Sequence, residues 1–165
     1  MSNDNRSYYL LLFNAACAWF AVGQIWLVQM SCYPLWRYVG RGHFQSYHVF
    51  WWHSIWLVIL VPAAFTFIGS LAIIRYRPSG VSPKLVWAGL VVQLTTWILT
   101  GIFWARWQAE LTSMNGAANI ALFHLLLTTH WLRVTLITLY AVLVTCMLIA
   151  GTTCFKNCDR METPA

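Results

Sequence analysis

Charge is what this 165-residue sequence has least of. Only 8% of its residues are Asp, Glu, Lys or Arg, against roughly 25% in an ordinary soluble domain. Hydrophobic residues make up 60%, and the mean hydropathy is +0.63. A soluble fold is excluded on that balance. Acid is the scarcest class, with four residues in all. Asp4, Asp159 and Glu162 are terminal, so no carboxylate is expected inside the membrane for a carboxylate-bridged iron centre, and only Glu110, in the outer loop, could contribute to one. The ten basic residues stand singly at the ends of apolar runs. The net charge of +6 therefore reads as a topology signal, and nucleic acid is not an expected partner. Five cysteines, Cys17, Cys32, Cys146, Cys154 and Cys158, contain no CxxC pair, which excludes a dithiol oxidoreductase. They read as small apolar fillers, with S-acylation open to Cys154 or Cys158. A Gly-x-Ser-x-Gly elbow, a phosphate loop and a zinc knuckle are also missing. The start MSNDNRSYY is polar and the run behind it is too long for a cleavable signal, so the first apolar run is expected to stay in place.

What is present is a set of apolar runs, each long enough for a membrane helix of about 20 residues. They predict an all-α integral membrane protein, a four-helix transmembrane bundle forming one domain over 1–165, with spans at about 8–30, 49–74, 84–104 and 131–151. YPLWRYVGRG ends the first span, RYRPSGVSP ends the second, and Pro83 suits the first turn of the third. The stretch between spans three and four turns apolar from Ala117. An extra interfacial helix before the last span is preferred there over an early start to that span. A continuous helix would bring Arg133 towards mid-membrane, where an unpaired guanidinium costs at least ~2.5 kcal/mol. Arg6, Arg75, Arg77, Lys84, Lys156 and Arg160 share one side, and Arg37, Arg41, Arg106 and Arg133 the other. The positive-inside rule then places the N- and C-termini in the cytoplasm. The expected location is a bacterial inner membrane.

With four crossings, depth can be compared between helices. Gln24 and Gln29 come late in the first span, His48 and His53 open the second, Trp104 and Arg106 close the third, and His130 and Arg133 open the fourth. These meet near the outer leaflet, where polar groups in hydrocarbon need one another as partners. A cofactor or ligand site is expected there, with Gln24, His48, His53, Trp104, His130 and Trp131 as binding residues. His48 and His53 are five apart, about 140° around a helix, so they form no i, i+4 metal clamp. A haem or metal would need ligands from different helices, with His53 and His130 the best pair. Most of the eleven tryptophans belong to the outer half. A headgroup belt explains part of that bias, and an aromatic-lined cavity for a flat apolar ligand explains the excess.

Two segments carry a resemblance. THWLRVTL, Thr129 to Leu136, resembles the His/Asn-Trp-x-Arg start of the last helix in small four-helix membrane proteins of the anthrone-oxygenase-like family. QMSCYPLWRYVGRGHFQSYH, Gln29 to His48, is similar to the Tyr-Pro segment and F-x-x-Y pattern of uncharacterised relatives. The resemblance implies four transmembrane helices and oxygen insertion into a polyphenolic anthrone without a well-defined cofactor, with His130, Trp131 and Arg133 as the positions carried over. A fainter likeness to four-helix haem-binding protoporphyrinogen oxidases lacks that family's histidine in the first helix.

Three functions compete at this stage. The first is an oxidoreductase or oxygenase acting on a hydrophobic aromatic substrate, with His53 or His130 as general base and Arg133 holding a phenolate. The second is a haem- or pigment-binding subunit with His53 and His130 as axial ligands. The third is a non-catalytic subunit of a homo- or hetero-oligomeric membrane complex. The last would present lipid-facing helices to its partner, because the loops are short.

Overall fold

The computed structural model of the protein describes residues 3–40, 42–113 and 120–161, and every element among them is a helix. Four helical stretches are long and apolar enough to cross a membrane: Asn5–Tyr38, Phe44–Arg75, Pro83–Thr112 and Ile120–Thr152. The first combines α1 (Asn3–Leu27), a π-helical turn (Val28–Cys32), the short α2 (Tyr33–Leu35) and a 3-10 turn (Trp36–Tyr38). The second span is α3 (Phe44–Arg75), the third joins α4 (Pro83–Leu99) through a π turn (Thr100–Trp104) to α5 (Ala105–Ser113), and the fourth lies in α6 (Ile120–Met161). Arg41, the 114–119 part of the third loop, and the side chains of Trp56, Cys154, Lys156, Cys158 and Arg160 lie outside the described residues.

The apolar runs underestimate the helices: all four extend at the end of the bundle away from the chain termini, and at the other end α1 begins at Asn3 and α6 runs on to Met161. Beyond the hydrophobic cores, helix continues to Tyr38 in the first span, from Phe44 in the second, to Thr112 in the third and from Ile120 in the fourth. Among the described residues no separate interfacial helix precedes the last span. Residues from Ile120 run unbroken through His130 and Arg133 into the last span. The objection to that continuity was an Arg133 stranded in lipid. It does not arise, because the side chain turns inward, where its guanidinium lies 5.6 Å from the Trp104 ring.

The first span packs against the second and fourth, and the third against the fourth and, more loosely, the second. Two apolar layers hold the bundle. Near the chain termini, Leu11, Ala15, Ala18, Val22, Ile73, Val86, Ala141, Val144 and Met147 interlock. Small residues here let the backbones approach, as membrane helix packing requires. Gly69 is the extreme case: a Cβ built there would lie 2.6 Å from Asn14 Oδ1. Asn14 in turn donates through Nδ2 to the Tyr140 hydroxyl at 2.7 Å, and Ser70 Oγ lies 2.5 Å from the same hydroxyl. At the other end Val28, Tyr33, Trp36, Phe44, Leu111, Leu122 and Leu126 form the second layer.

Lipid-facing polar groups are also paired. Trp19 Nε1–H donates to Thr145 Oγ1 at 2.9 Å and Trp26 Nε1–H to Thr138 Oγ1 at 3.2 Å, tying the first span to the fourth. Pro62 has no N–H, so the helical bond to the Val58 carbonyl cannot form. Gln24 of the first span replaces it, with Nε2 donating to Val58 O at 2.7 Å.

Candidate functional site

Between the two apolar layers the bundle is hollow. A cavity of about 260 Å³ is walled by Trp51, Trp52, Ile55 and Ile59 of the second span and by Trp97, Gly101 and Trp104 of the third. Its polar lining is Tyr33, Thr100, Gln108, His130 and Arg133. A second compartment of about 40 Å³ shares Ile25, Ile59, Leu60, Trp97, Thr100 and Arg133 with it and continues towards Gln24, Gln93 and Tyr140. Arg133 therefore stands at the junction of the two. The larger compartment lies along the loose seam between the second and third spans. Gly101 on that seam is exposed, and a Cβ there would meet nothing within 4 Å.

Local structure explains how the side chains converge. His130, Arg133, Ile137 and Tyr140 follow one another at three- and four-residue steps, so they line one face of α6. Trp97, Gly101, Trp104 and Gln108 do the same along the third span. Both π turns sit at the cavity. The Tyr33 N–H bonds back to Val28 O and the Ala105 N–H to Thr100 O, each adding one residue to the turn. Such bulges recur at functional sites because they re-aim the side chains that follow. Here Tyr33 directly follows the first turn and Trp104 closes the second, and both are walls of the cavity.

His130 is fully buried, and one of its ring nitrogens is committed. Gln29 Nε2 donates to the Leu127 carbonyl at 3.4 Å, which turns Gln29 Oε1 towards His130 Nδ1 at 2.7 Å. Nδ1 is therefore the protonated nitrogen of the neutral ring. Nε2 keeps its lone pair and has no hydrogen-bond partner among the described residues. Arg133 is next to it in the cavity lining. Its Nε is buried without a hydrogen-bond partner among the described residues, and no carboxylate lines either compartment. The face of Trp104 is its neighbour, with the indole Nε1–H donating to Thr129 Oγ1 at 3.4 Å.

Behind the cavity stands a supporting layer. Gln108 donates through Nε2 to the Tyr33 hydroxyl at 2.9 Å, and its Oε1 lies 2.8 Å from His48 Nε2. His48 Nδ1 is 3.0 Å from the Thr112 hydroxyl. Rings close around this chain: Trp36 lies 4.8 Å from Tyr33, 4.9 Å from His48 and 4.9 Å from Trp51, centroid to centroid. Phe44 stacks on His48 at 5.7 Å.

No family model, curated protein or solved structure matches this chain. The site is read from its own geometry.

The structure brings together His130, Arg133, Trp104 and, in the smaller compartment, Gln24. It places others elsewhere. His53 is exposed on the outer face of α3 and lines neither compartment, so it does not face His130 across a common space. Trp131 is also exposed, packed edge-on against Trp26 at 5.7 Å. His48 is fully buried but sits one layer back, with both ring nitrogens engaged by Gln108 and Thr112. Among the described residues there is no group of three His, Cys, Asp or Glu that would hold a metal ion. Sequence reasoning missed Tyr33 and Gln108. Gln108 follows Trp104 by four residues, a spacing that places both on one helical face. Tyr33 had no such signal, because the π turn before it shifts the register.

Proposed function

We propose that this chain binds a flat, phenolic aromatic molecule of two or three fused rings in the larger cavity, and acts on it as an oxygenase. The observation that carries the reading is that His130, whose Nε2 is buried without a hydrogen-bond partner among the described residues, and Arg133, which no carboxylate joins, both belong to the lining of one aromatic-walled space. The size is apt. A cavity of about 150 Å³ accommodates benzene, and drug-sized ligands occupy roughly 300–1,000 Å³. At about 260 Å³ this one suits an intermediate ligand. The resemblance of Thr129–Leu136 to the anthrone-oxygenase-like family points the same way.

In this reading His130 Nε2 takes a proton from a ring methylene flanked by aryl groups, or from its phenol tautomer. The oxyanion so formed lies against Arg133, and the indole of Trp104 keeps water from the cation. The electron-rich anion is then oxidised by dioxygen. One oxygen atom enters the methylene carbon, which becomes a carbonyl, and the other leaves as water, so that CH₂ + O₂ gives C=O + H₂O. The bis-histidine haem site expected of His53 and His130 is not formed, because His53 is exposed and lines neither compartment, and His48 has no free nitrogen to replace it. The same reading takes the cavity end of the bundle as the outer one, the termini as cytoplasmic and the membrane as a bacterial inner membrane. It assigns the exposed apolar faces to lipid or to an oligomeric partner.

The test uses protein in nanodiscs supplied with anthrone under ¹⁸O₂. Expected is saturable binding, and anthraquinone carrying ¹⁸O formed faster than with empty nanodiscs, the excess lost in His130→Leu. Absence of saturable binding, or a rate equal to that of the lipid alone, would overturn the proposal.

A further inference from the structure

We infer that Tyr33 is a second ligand-contacting donor in this cavity, and that Gln108 and His48 exist to aim it. The inference rests on the reading above that the cavity takes a phenolic aromatic. It goes further in assigning the ligand oxygen three contacts: the Arg133 guanidinium, the Tyr33 hydroxyl and the His130 ring.

Tyr33 is 2% exposed, and its ring packs edge-on against His130 at a centroid distance of 4.7 Å. Its hydroxyl oxygen accepts the Gln108 Nε2–H at 2.9 Å, and no acceptor for its own proton is found among the described residues. Accepting one hydrogen bond uses one lone pair and limits the directions left to the O–H. The remaining open space beside this residue is the cavity that it lines. Gln108 is itself held. Its Oε1 is fixed by His48, and the second nitrogen of His48 is fixed by Thr112. A buried amide and imidazole with their polar atoms engaged do not rotate freely, so the donor is oriented before any ligand arrives. Pre-orientation of this kind makes a hydrogen bond to a developing oxyanion effective, since no reorganisation is needed when charge appears. It also accounts for a fully buried histidine that lines neither compartment. His48 is a positioning residue, acting through Gln108 on Tyr33.

The test compares two probes in nanodiscs, 4-nitro-1-naphthol and 1-nitronaphthalene, which share a ring system and differ by the hydroxyl. Tyr33→Phe keeps the ring and removes the donor. It is expected to weaken the naphthol by about tenfold, the loss of one hydrogen bond to a charged or developing anion, and to leave the nitronaphthalene unchanged. Gln108→Met keeps the volume and removes the aiming N–H. It is expected to weaken the naphthol alone, by less, and it carries the test should Tyr33→Phe fail to fold. Equal weakening of both probes would show that Tyr33 and Gln108 only pack, and unaltered naphthol binding would show that the hydroxyl is not a contact. Either result overturns the inference while leaving the binding reading intact. If the unaltered protein binds neither probe, the binding reading falls and the inference falls with it.

Discussion

Replacing Arg133 with methionine should make the protein more stable and its cavity less able to hold a phenol. An arginine near the centre of a membrane helix costs about 2.5–3.5 kcal/mol. Its contact with the Trp104 face, 5.6 Å from guanidinium carbon to ring centroid, returns about 2 kcal/mol when desolvated. In the described lining Nε has no hydrogen-bond partner and no carboxylate lines the cavity, so part of that cost stays unoffset. Methionine is of similar reach, packs well against Trp104 and has no charge to desolvate. The variant is therefore expected to gain about 1 kcal/mol, the difference between the two terms. Binding of a nitronaphthol should meanwhile weaken by about 1.5–3 kcal/mol, the worth of a hydrogen bond to a charged group. Reversible unfolding by SDS in mixed micelles, followed by circular dichroism, measures the first quantity, and probe titration in nanodiscs the second. A variant that unfolds more easily by 1 kcal/mol or more, on the order of the gain expected here, would refute the reasoning. Arg133 would then be holding the bundle together rather than waiting for a ligand.

Three further outcomes probe the frame around the cavity. Gln24→Leu leaves the Val58 carbonyl without a donor and should cost about 1–3 kcal/mol. Most of that cost should vanish in a Pro62→Ala background, where residue 62 regains the N–H that reaches Val58, as a double-mutant unfolding cycle would report. Gly69→Ala drives a methyl into Asn14, 2.6 Å from Oδ1, and should destabilise by about 1–3 kcal/mol. The same measurement in an Asn14→Ala background should find the penalty largely gone. Trp26→Phe removes the bond to Thr138 and should cost about 0.6 kcal/mol, the average for an interhelical bond in lipid. A value indistinguishable from zero in SDS unfolding would show that this indole serves the headgroup zone instead.

Much of the architecture could be read from composition alone. Runs such as Val49–Ile74 are long and apolar enough for membrane helices, and the structure has four helices long and apolar enough to cross a membrane. Helix ends were less legible. Hydropathy detects the hydrocarbon core, whereas hydrogen bonding continues through amphipathic turns such as Ala105–Ser113. The break expected before the last span rested on Arg133 instead, and α6 is one helix because that side chain turns inward against Trp104. Depth along the spans suggested which residues could meet, and His130, Arg133 and Trp104 do line one cavity, with Gln24 in the compartment beside it. Azimuth could not be read. His53 and Trp131 match them in expected depth and point outward, because the direction of a side chain around a helix that is apolar on every side is set by its neighbours and not by its own periodicity.

What the sequence determined by itself is the solvent: so little charge and so many long apolar stretches leave lipid as the medium and helices as the backbone structure, since hydrocarbon offers no partner for unpaired peptide groups. Which polar side chains meet was decided only in three dimensions. Two π turns rotate Tyr33 and Trp104 into place, Pro62 opens a carbonyl that Gln24 fills, and a loose seam between two helices leaves room beside Arg133. Each depends on how one helix is turned against another, and that is fixed by packing across the bundle rather than along the chain.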